Sequence, residues 1–368
     1  MAPRALDAIV LGPWDAVVPL PDVSNGWAIA RLATDDEVAG VTGSLGDFFA
    51  GVNAGDEARR YAFYTDRWVD IIGPPPADAL EAGPLPADRR VTLVGVYDAV
   101  AFEDGRVGAV VVFDDPDAPA PAEAFFWVFR VEEGHWKLDD VPSESMPYRD
   151  SATPAPSPRP LPPGASVVDP AACVVAPRTL DEVIGLIDGR AEGEGPAIAV
   201  APTLTDSAPP PQVEAAIADT IRQQLACANA NDQLRVWALW TDANVAARDP
   251  EDLDLVVEPT PRPEAERNAF VGMRAFRELS DGRVGAALVI DDPATPSPID
   301  TLFAVFGEED GRWLLDAVYS HYSTVIYNPD GARAELMATP EPRERGRDRV
   351  RDRDGDGTLE PRRRDRVA

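Results

Sequence analysis

The string DGRVGAVVVFDDP, from Asp104 to Pro116, returns as DGRVGAALVIDDP from Asp281 to Pro293, identical at ten of thirteen positions and offset by 177 residues. Further pairs keep the same order. APRALDAIV at Ala2 answers APRTLDEVI at Ala176, and NAGDEARRYAFYTD at Asn53 answers NANDQLRVWALWTD at Asn229. EEGHWKLDDV at Glu132 answers EEDGRWLLDAV at Glu308. A repeat held at offsets of 174 to 177 residues means tandem duplication, so the fold of one copy is the fold of the other. With 368 residues, 45% of them hydrophobic, the chain has apolar material for two cores. The expected organisation is a first domain over 1–148, a Pro/Ser-rich linker over 149–172, a second domain over 173–327 and a charged tail over 328–368. The tail has too few apolar residues to offset its ordering entropy and is expected to be disordered.

Each copy changes period partway. Glu37, Val41, Leu45, Phe49 and Val52, and likewise Val213, Ile217, Ile221, Leu225 and Ala228, recur at helical spacing. Thr34 with Glu37 forms a capping box, and Pro209 to Pro211 pre-set the second start. Asn53 and Asn229 suit the left-handed position that ends a helix, while Asp56 and Asp232 cap a short second helix ending near Thr65 and Thr241. Strand-like runs follow, divided by Asp-Gly and Glu-Gly turns. Gly105 and Gly108 precede a strand rather than a helix, so the repeated string is a hairpin signal and not a phosphate loop. The fold class is α+β, with a helical hairpin and an antiparallel sheet in each copy.

A helical hairpin, a Pro-rich crossover and a curved sheet closing on Gly-x-Trp-x-Leu-Asp resemble the nuclear transport factor 2-like superfamily, over about 120 residues of each copy. That superfamily includes SnoaL-like polyketide cyclases and ketosteroid isomerases. Its motifs here are NAGDEARRYAFYTD with NANDQLRVWALWTD, and GHWKLDDV with GRWLLDAV. The resemblance implies two cone-shaped domains, each with a pocket between helices and concave sheet. Because members range from isomerases to noncatalytic binding and dimerisation modules, it selects no activity.

Acids in such a pocket can serve as general bases. Asp66 and Asp242, at the end of the second helix, and Asp139 and Asp316, on the last strand, are the shared candidates; closing a helix-strand turn is the plainer role of the first pair, and a shared structural role suits the second at least as well as catalysis. Asp98 beside Tyr97 is replaced by Arg274 and Ala275, so the copies have diverged there. Asp98, Trp127, Asp242, Arg274 and Asp316 are the candidate pocket residues. An enzyme confined to the first domain would use Asp66 or Asp139 as base and Tyr97 as donor to an enolate oxygen. No base with an electrophilic partner survives in both copies, which favours a noncatalytic protein binding a small apolar ligand or a protein partner, with a SnoaL-like isomerase or cyclase as the alternative. No cofactor is expected. Asp352, Asp354 and Asp356 open like a calcium loop, but Arg363 stands where the bidentate carboxylate belongs, so no metal is expected either.

The net charge of -30 opposes binding to nucleic acid. No apolar run is long enough to span a bilayer. Cys173 and Cys227 both belong to the second copy and both lack a counterpart in the first, the pattern of a disulfide. A disulfide implies an extracytoplasmic setting, and hence a late start to the sequence; as written, with no leader, the chain reads as cytoplasmic. The strand EAFFWVFRV is apolar on both faces, Phe125, Trp127 and Phe129 on one and Phe126 and Val128 on the other. One face is left to pack the two domains together as an intramolecular pseudo-dimer.

Overall fold

The computed structural model describes residues 27–75, 79–81, 83–118, 120–142, 161–189, 202–248, 250–293, 295 and 297–319. Its first half contains β1 (Ile29–Leu32), α1 (Asp35–Ala54), α2 (Glu57–Ala62), α3 (Asp66–Ile72), β2 (Thr92–Phe102), β3 (Val107–Asp114), β4 (Glu123–Glu132) and β5 (His135–Asp140). The second half contains β6 (Ser166–Val167), α4 (Leu180–Asp188), α5 (Pro211–Asn229), α6 (Gln233–Trp237), α7 (Asp242–Ala246), β7 (Ala269–Glu278), β8 (Val284–Asp291), β9 (Asp300–Glu309) and β10 (Arg312–Tyr319). The strands form two antiparallel five-stranded sheets, ordered β1-β2-β3-β4-β5 and β10-β9-β8-β7-β6, so the class is α+β. None of the described helices is long and apolar enough to cross a membrane.

The helix starts follow their sequence signals. Thr34 Oγ1 accepts from the Glu37 amide at 3.3 Å, and the Glu37 carboxylate accepts from the Thr34 amide at 2.7 Å. The Arg31 guanidinium, followed by that amide, holds the Glu37 carboxyl down to about 2. Pro211 opens α5, and Asp56 and Asp232 cap α2 and α6.

Two local expectations are corrected. Asn53 and Asn229 lie within α1 and α5; the left-handed residues are Gly55 (φ 65°) and Asn231 (φ 55°). The asparagines stay helical because their amides pair with a peptide group at the head of the first long strand. Asn53 Nδ2 donates to Val91 O at 2.8 Å and its Oδ1 accepts from Val91 N at 2.9 Å. Asn229 does the same to Asn268, at 3.0 and 2.9 Å. Thr65 and Thr241, expected to follow the end of a helix, are instead the N-caps of α3 and α7.

At the domain boundaries, Ser166 and Val167, inside the expected linker, pair with Phe270 and Ala269. The second folded unit therefore begins before Cys173. Residues 1–26, 143–160 and 320–368, which hold the first part of the expected linker (149–160), the tail and the calcium-like acids, lie outside the described residues.

Alternation along β4 divides the two faces as the sequence pattern requires. Phe125, Trp127 and Phe129 point to the helices, while Phe126 and Val128 join a separate apolar layer. That layer also contains Val110 and Val112 from β3 and, from the second sheet, Ala287, Val289, Phe303 and Val305. The sheets thus meet by the faces turned away from their helices. Ala124 and Thr301, equivalent in the repeat, meet across this seam, with Thr301 Oγ1 donating to Ala124 O at 2.8 Å. The repeated glycine has its reason here: a Cβ on Gly285 would stand 2.6 Å from the Phe303 ring, and one on Gly108 would strike Phe126. Small-angle scattering on the intact chain should show one compact particle; two lobes moving independently would contradict the seam.

Candidate functional site

The two acids shared by the last strands occupy matching bulges. Asp139 lies where β5 shifts register against β4, and Asp316 where β10 shifts against β9. They are 1% and 6% exposed. In the first copy Thr65 Oγ1 accepts from the Trp68 amide at 3.1 Å and donates to Asp139 Oδ1 at 3.0 Å. In the second, Thr241 Oγ1 accepts from the Asn244 amide at 3.1 Å and donates to Asp316 Oδ1 at 2.7 Å. One hydroxyl thus caps a helix and fastens it to the sheet.

The other carboxylate oxygen faces the arginine of the repeated string. Arg106 Nη1 stands 3.4 Å from Asp139 Oδ2, while its Nε donates to Asp104 Oδ2 at 2.7 Å. Arg283 Nη1 donates to Asp316 Oδ2, and its Nε to Asp281 Oδ2 at 2.8 Å. Burial works against the Arg283 charge, but the hydrogen bonds it donates to Asp281 and Asp316 outweigh this and hold the guanidinium above its ordinary value. Burial likewise pushes Asp281 up, and Arg283 returns it below the usual carboxylate range. Asp-Gly-Arg is therefore one device: glycine turns the chain at φ 83° or 88°, and the arginine clasps the turn to the last strand.

The first clasp is the more heavily built. Arg67 donates to Asp140 Oδ2 at 2.9 Å and to Asp139 O at 2.6 Å, and Arg130 Nε stands 3.6 Å from Asp139 Oδ2. The equivalent positions in the second copy are Ala243, Gly307 and Ala317. Glu309 lies near the second clasp, its carboxyl pushed up by burial despite an amide hydrogen bond from Asp242.

A general base needs a lone pair turned to a reacting atom. Both oxygens of Asp139 and of Asp316 instead face a hydroxyl and a guanidinium.

No protein-family model, curated protein or solved structure matched the chain.

The remaining predicted site residues do not converge on these acids. Asp66 and Asp242 are exposed first residues of α3 and α7, where a carboxylate favours the positive end of the helix. Asp242 also pairs with Arg178 Nη1 at 2.6 Å. Tyr97 packs against the seam between the sheets, lying back over Gly95, and Arg274 lies over Gly272 in the same way. Asp98 (φ 47°) and Ala275 (φ 54°) are bulge residues of β2 and β7. Asp98 Oδ1 accepts from Arg274 Nη2 at 2.6 Å, so these residues join the two halves.

Trp127 is the centre of a ring cluster. Phe48, Phe63, Phe113, Phe125 and Phe129 stand 6.0, 6.4, 5.9, 6.1 and 6.5 Å from it, centroid to centroid. In the first domain the space between helices and sheet is occupied by aromatic side chains. Among the described residues no group of three His, Cys, Asp or Glu side chains is placed to hold a metal.

Sequence reasoning missed Arg106, Arg283, Thr65 and Thr241 as the partners of the shared acids. The available signal was the duplication itself, since all four are identical in type between the copies.

Proposed function

We propose that the chain is a noncatalytic binding protein made of two fused nuclear transport factor 2-like domains that pack as an intramolecular pair. The observation that carries this reading is the clasp: the only acids common to both last strands are committed, in both copies, to the same threonine and arginine. The isomerase or cyclase alternative needs Asp66 or Asp139 to face Tyr97 across an interior. Asp66 is exposed at a helix start, and Tyr97 packs in the layer between the sheets. The disulfide supports an oxidising, extracytoplasmic setting, and the excess of acidic residues supports a partner other than nucleic acid.

The test is the full-length Asp139→Asn variant. A structural acid that loses charge-assisted hydrogen bonds should cost about 2 kcal/mol, a fall in Tm of roughly 4–8 °C for a domain of this size. Catalytic acids are commonly held at the expense of stability, so replacing one spares or raises Tm. An unchanged or higher Tm for Asp139→Asn would sink the noncatalytic reading.

A further inference from the structure

The two copies differ in what lies along the outer edge of their first long strand. In the second copy β6 runs antiparallel to β7, with Ser166 opposite Phe270 and Val167 opposite Ala269. Side chains of the helical hairpin then hold the chain that continues from β6. Asn229 Nδ2 donates to Val168 O at 2.8 Å, and Arg235 Nη1 donates to Cys173 O at 3.3 Å. The disulfide to Cys227 ties down the end of this segment. Beside it Ala269 and Phe270 are 0% and 7% exposed.

The first copy has the same seat. Thr92 and Leu93 pair with Asp114 and Phe113 as Ala269 and Phe270 pair with Asp291 and Ile290. Asn53 and Arg59 repeat Asn229 and Arg235. Among the described residues, however, β1 pairs with β2 only at its far end, from Val100 to Phe102, and no strand lies beside Thr92 and Leu93 on that side. Thr92 is exposed and Leu93 half-buried. Asn229 Nδ2 serves both Asn268 O and Val168 O, whereas among the described residues Asn53 Nδ2 donates to Val91 O alone. The Arg59 side chain is 43% exposed and has only Asp56 Oδ2, at 3.9 Å, as a described counter-charge. An unpaired strand edge flanked by such donors is a template for another strand.

We propose that this edge captures an extended segment of another polypeptide, laid antiparallel to β2 at Thr92 and Leu93. Two of its carbonyls accept from Asn53 and Arg59, spaced along the peptide as Val168 and Cys173 are. Small and β-branched side chains suit the seat, as in the Ser-Val-Val-Asp-Pro-Ala-Ala run that fills its counterpart. The chain's own residues 2–10 repeat residues 176–184, which come after the seated strand, so the repeat assigns them to a different place. Gly51 stands where Cys227 bonds the seated segment, so an occupant of the first seat is held without a covalent bond and exchanges. The second domain is the self-filled half. The site rests on the chain being a binding protein and adds which half binds and what class of partner it takes.

The probe is a fluorescent peptide of the sequence Gly164 to Val175 with Cys173→Ala, titrated into the full chain and followed by anisotropy. It should bind saturably. A peptide with Ser166→Pro and Val168→Pro, which lacks main-chain donors for the ladder, should bind about tenfold more weakly or worse. Arg59→Gln in the chain should cost about fivefold in affinity and leave Tm unchanged. Gly51→Cys locates the site, since both native cysteines are bonded to each other. With the peptide that retains Cys173, activated as its thionitrobenzoate disulfide, the introduced thiolate attacks the peptide sulfur and thionitrobenzoate leaves. Its release should be roughly tenfold or more faster than from activated glutathione, because the seat concentrates the peptide at that thiol. No binding by the full chain, as when residues 1–26 already fill the edge, would overturn the proposal. So would binding indifferent to the prolines or to Arg59→Gln, equal release rates from a folded Gly51→Cys, or a dimer of the chain that the peptide splits, which would make a second copy the occupant. If Gly51→Cys does not fold, the Arg59→Gln comparison decides. Asp139→Asn tests the noncatalytic reading separately: a lowered Tm there with no peptide bound removes the site alone.

Discussion

Arg283→Ala should destabilise the second domain by about 3–5 kcal/mol, because it strands a buried carboxylate. Asp316 is 6% exposed, and among the described residues its oxygens are held by Thr241 and Arg283. Arg106→Ala should cost roughly half as much, since Arg67 and Arg130 stay within 3.8 and 3.6 Å of Asp139 Oδ2 and keep part of the compensation. Denaturation of the two variants, followed by circular dichroism, gives the comparison. Adding Asp316→Asn to Arg283→Ala should recover part of the loss, as the stranded charge is gone. Equal losses at the two sites, or no recovery, would show that the charge pairing is not what the clasp contributes.

Removing the disulfide should have an effect of the same order. Cys173 and Cys227 are bonded across a separation of 54 residues, and closing a loop of that length is worth about 4 kcal/mol in the chain-entropy model. The bond fastens the turn at Pro170–Ala172, ahead of α4, to the last turn of α5. The double variant Cys173→Ala with Cys227→Ala should therefore lose about 8–16 °C in Tm. Amide exchange should rise first between Ser166 and Val175 and in α4, before α5 or the sheet responds. A variant as stable as the parent would show that packing of Val183 and Ile187 already holds this segment. The first copy has Gly51 where Cys227 stands, and a Cβ there would meet Arg59 and the Arg60 amide at 3.2–3.3 Å. A side chain at this position would press on α2, which would have to give by a few tenths of an ångström.

Much of the fold was legible because its information is local. The capping box at Thr34, the Pro211 start, the aspartate caps of α2 and α6 and the opposed faces of β4 each depend on residues within a few positions of one another. The disulfide was legible for another reason: the duplication supplies an internal comparison, and two cysteines absent together from one copy are most simply partners.

The errors fell where one residue has two local solutions. Asn53 and Asn229 can end a helix in the left-handed conformation or stay helical and bond elsewhere. The choice was made by Val91 and Asn268, which lie 38 and 39 residues away along the chain. Thr65 and Thr241 suited a helix end as well as a start until Asp139 and Asp316, 74 and 75 residues downstream, fixed the hydroxyls.

The sequence by itself determined the duplication, the α+β class, the strand faces and the pairing of the cysteines, since periodicity, capping and repetition are written in neighbouring residues. Only the tertiary structure decided that the shared acids are clasps, that Tyr97 and Asp98 belong to the seam between the sheets, and that among the described residues Gln224 Oε1 and Trp240 Nε1 are buried without a hydrogen-bond partner. A hydrogen bond is satisfied or orphaned by atoms a few ångströms away in space, and in a sheet those atoms come from strands and helices tens of residues apart.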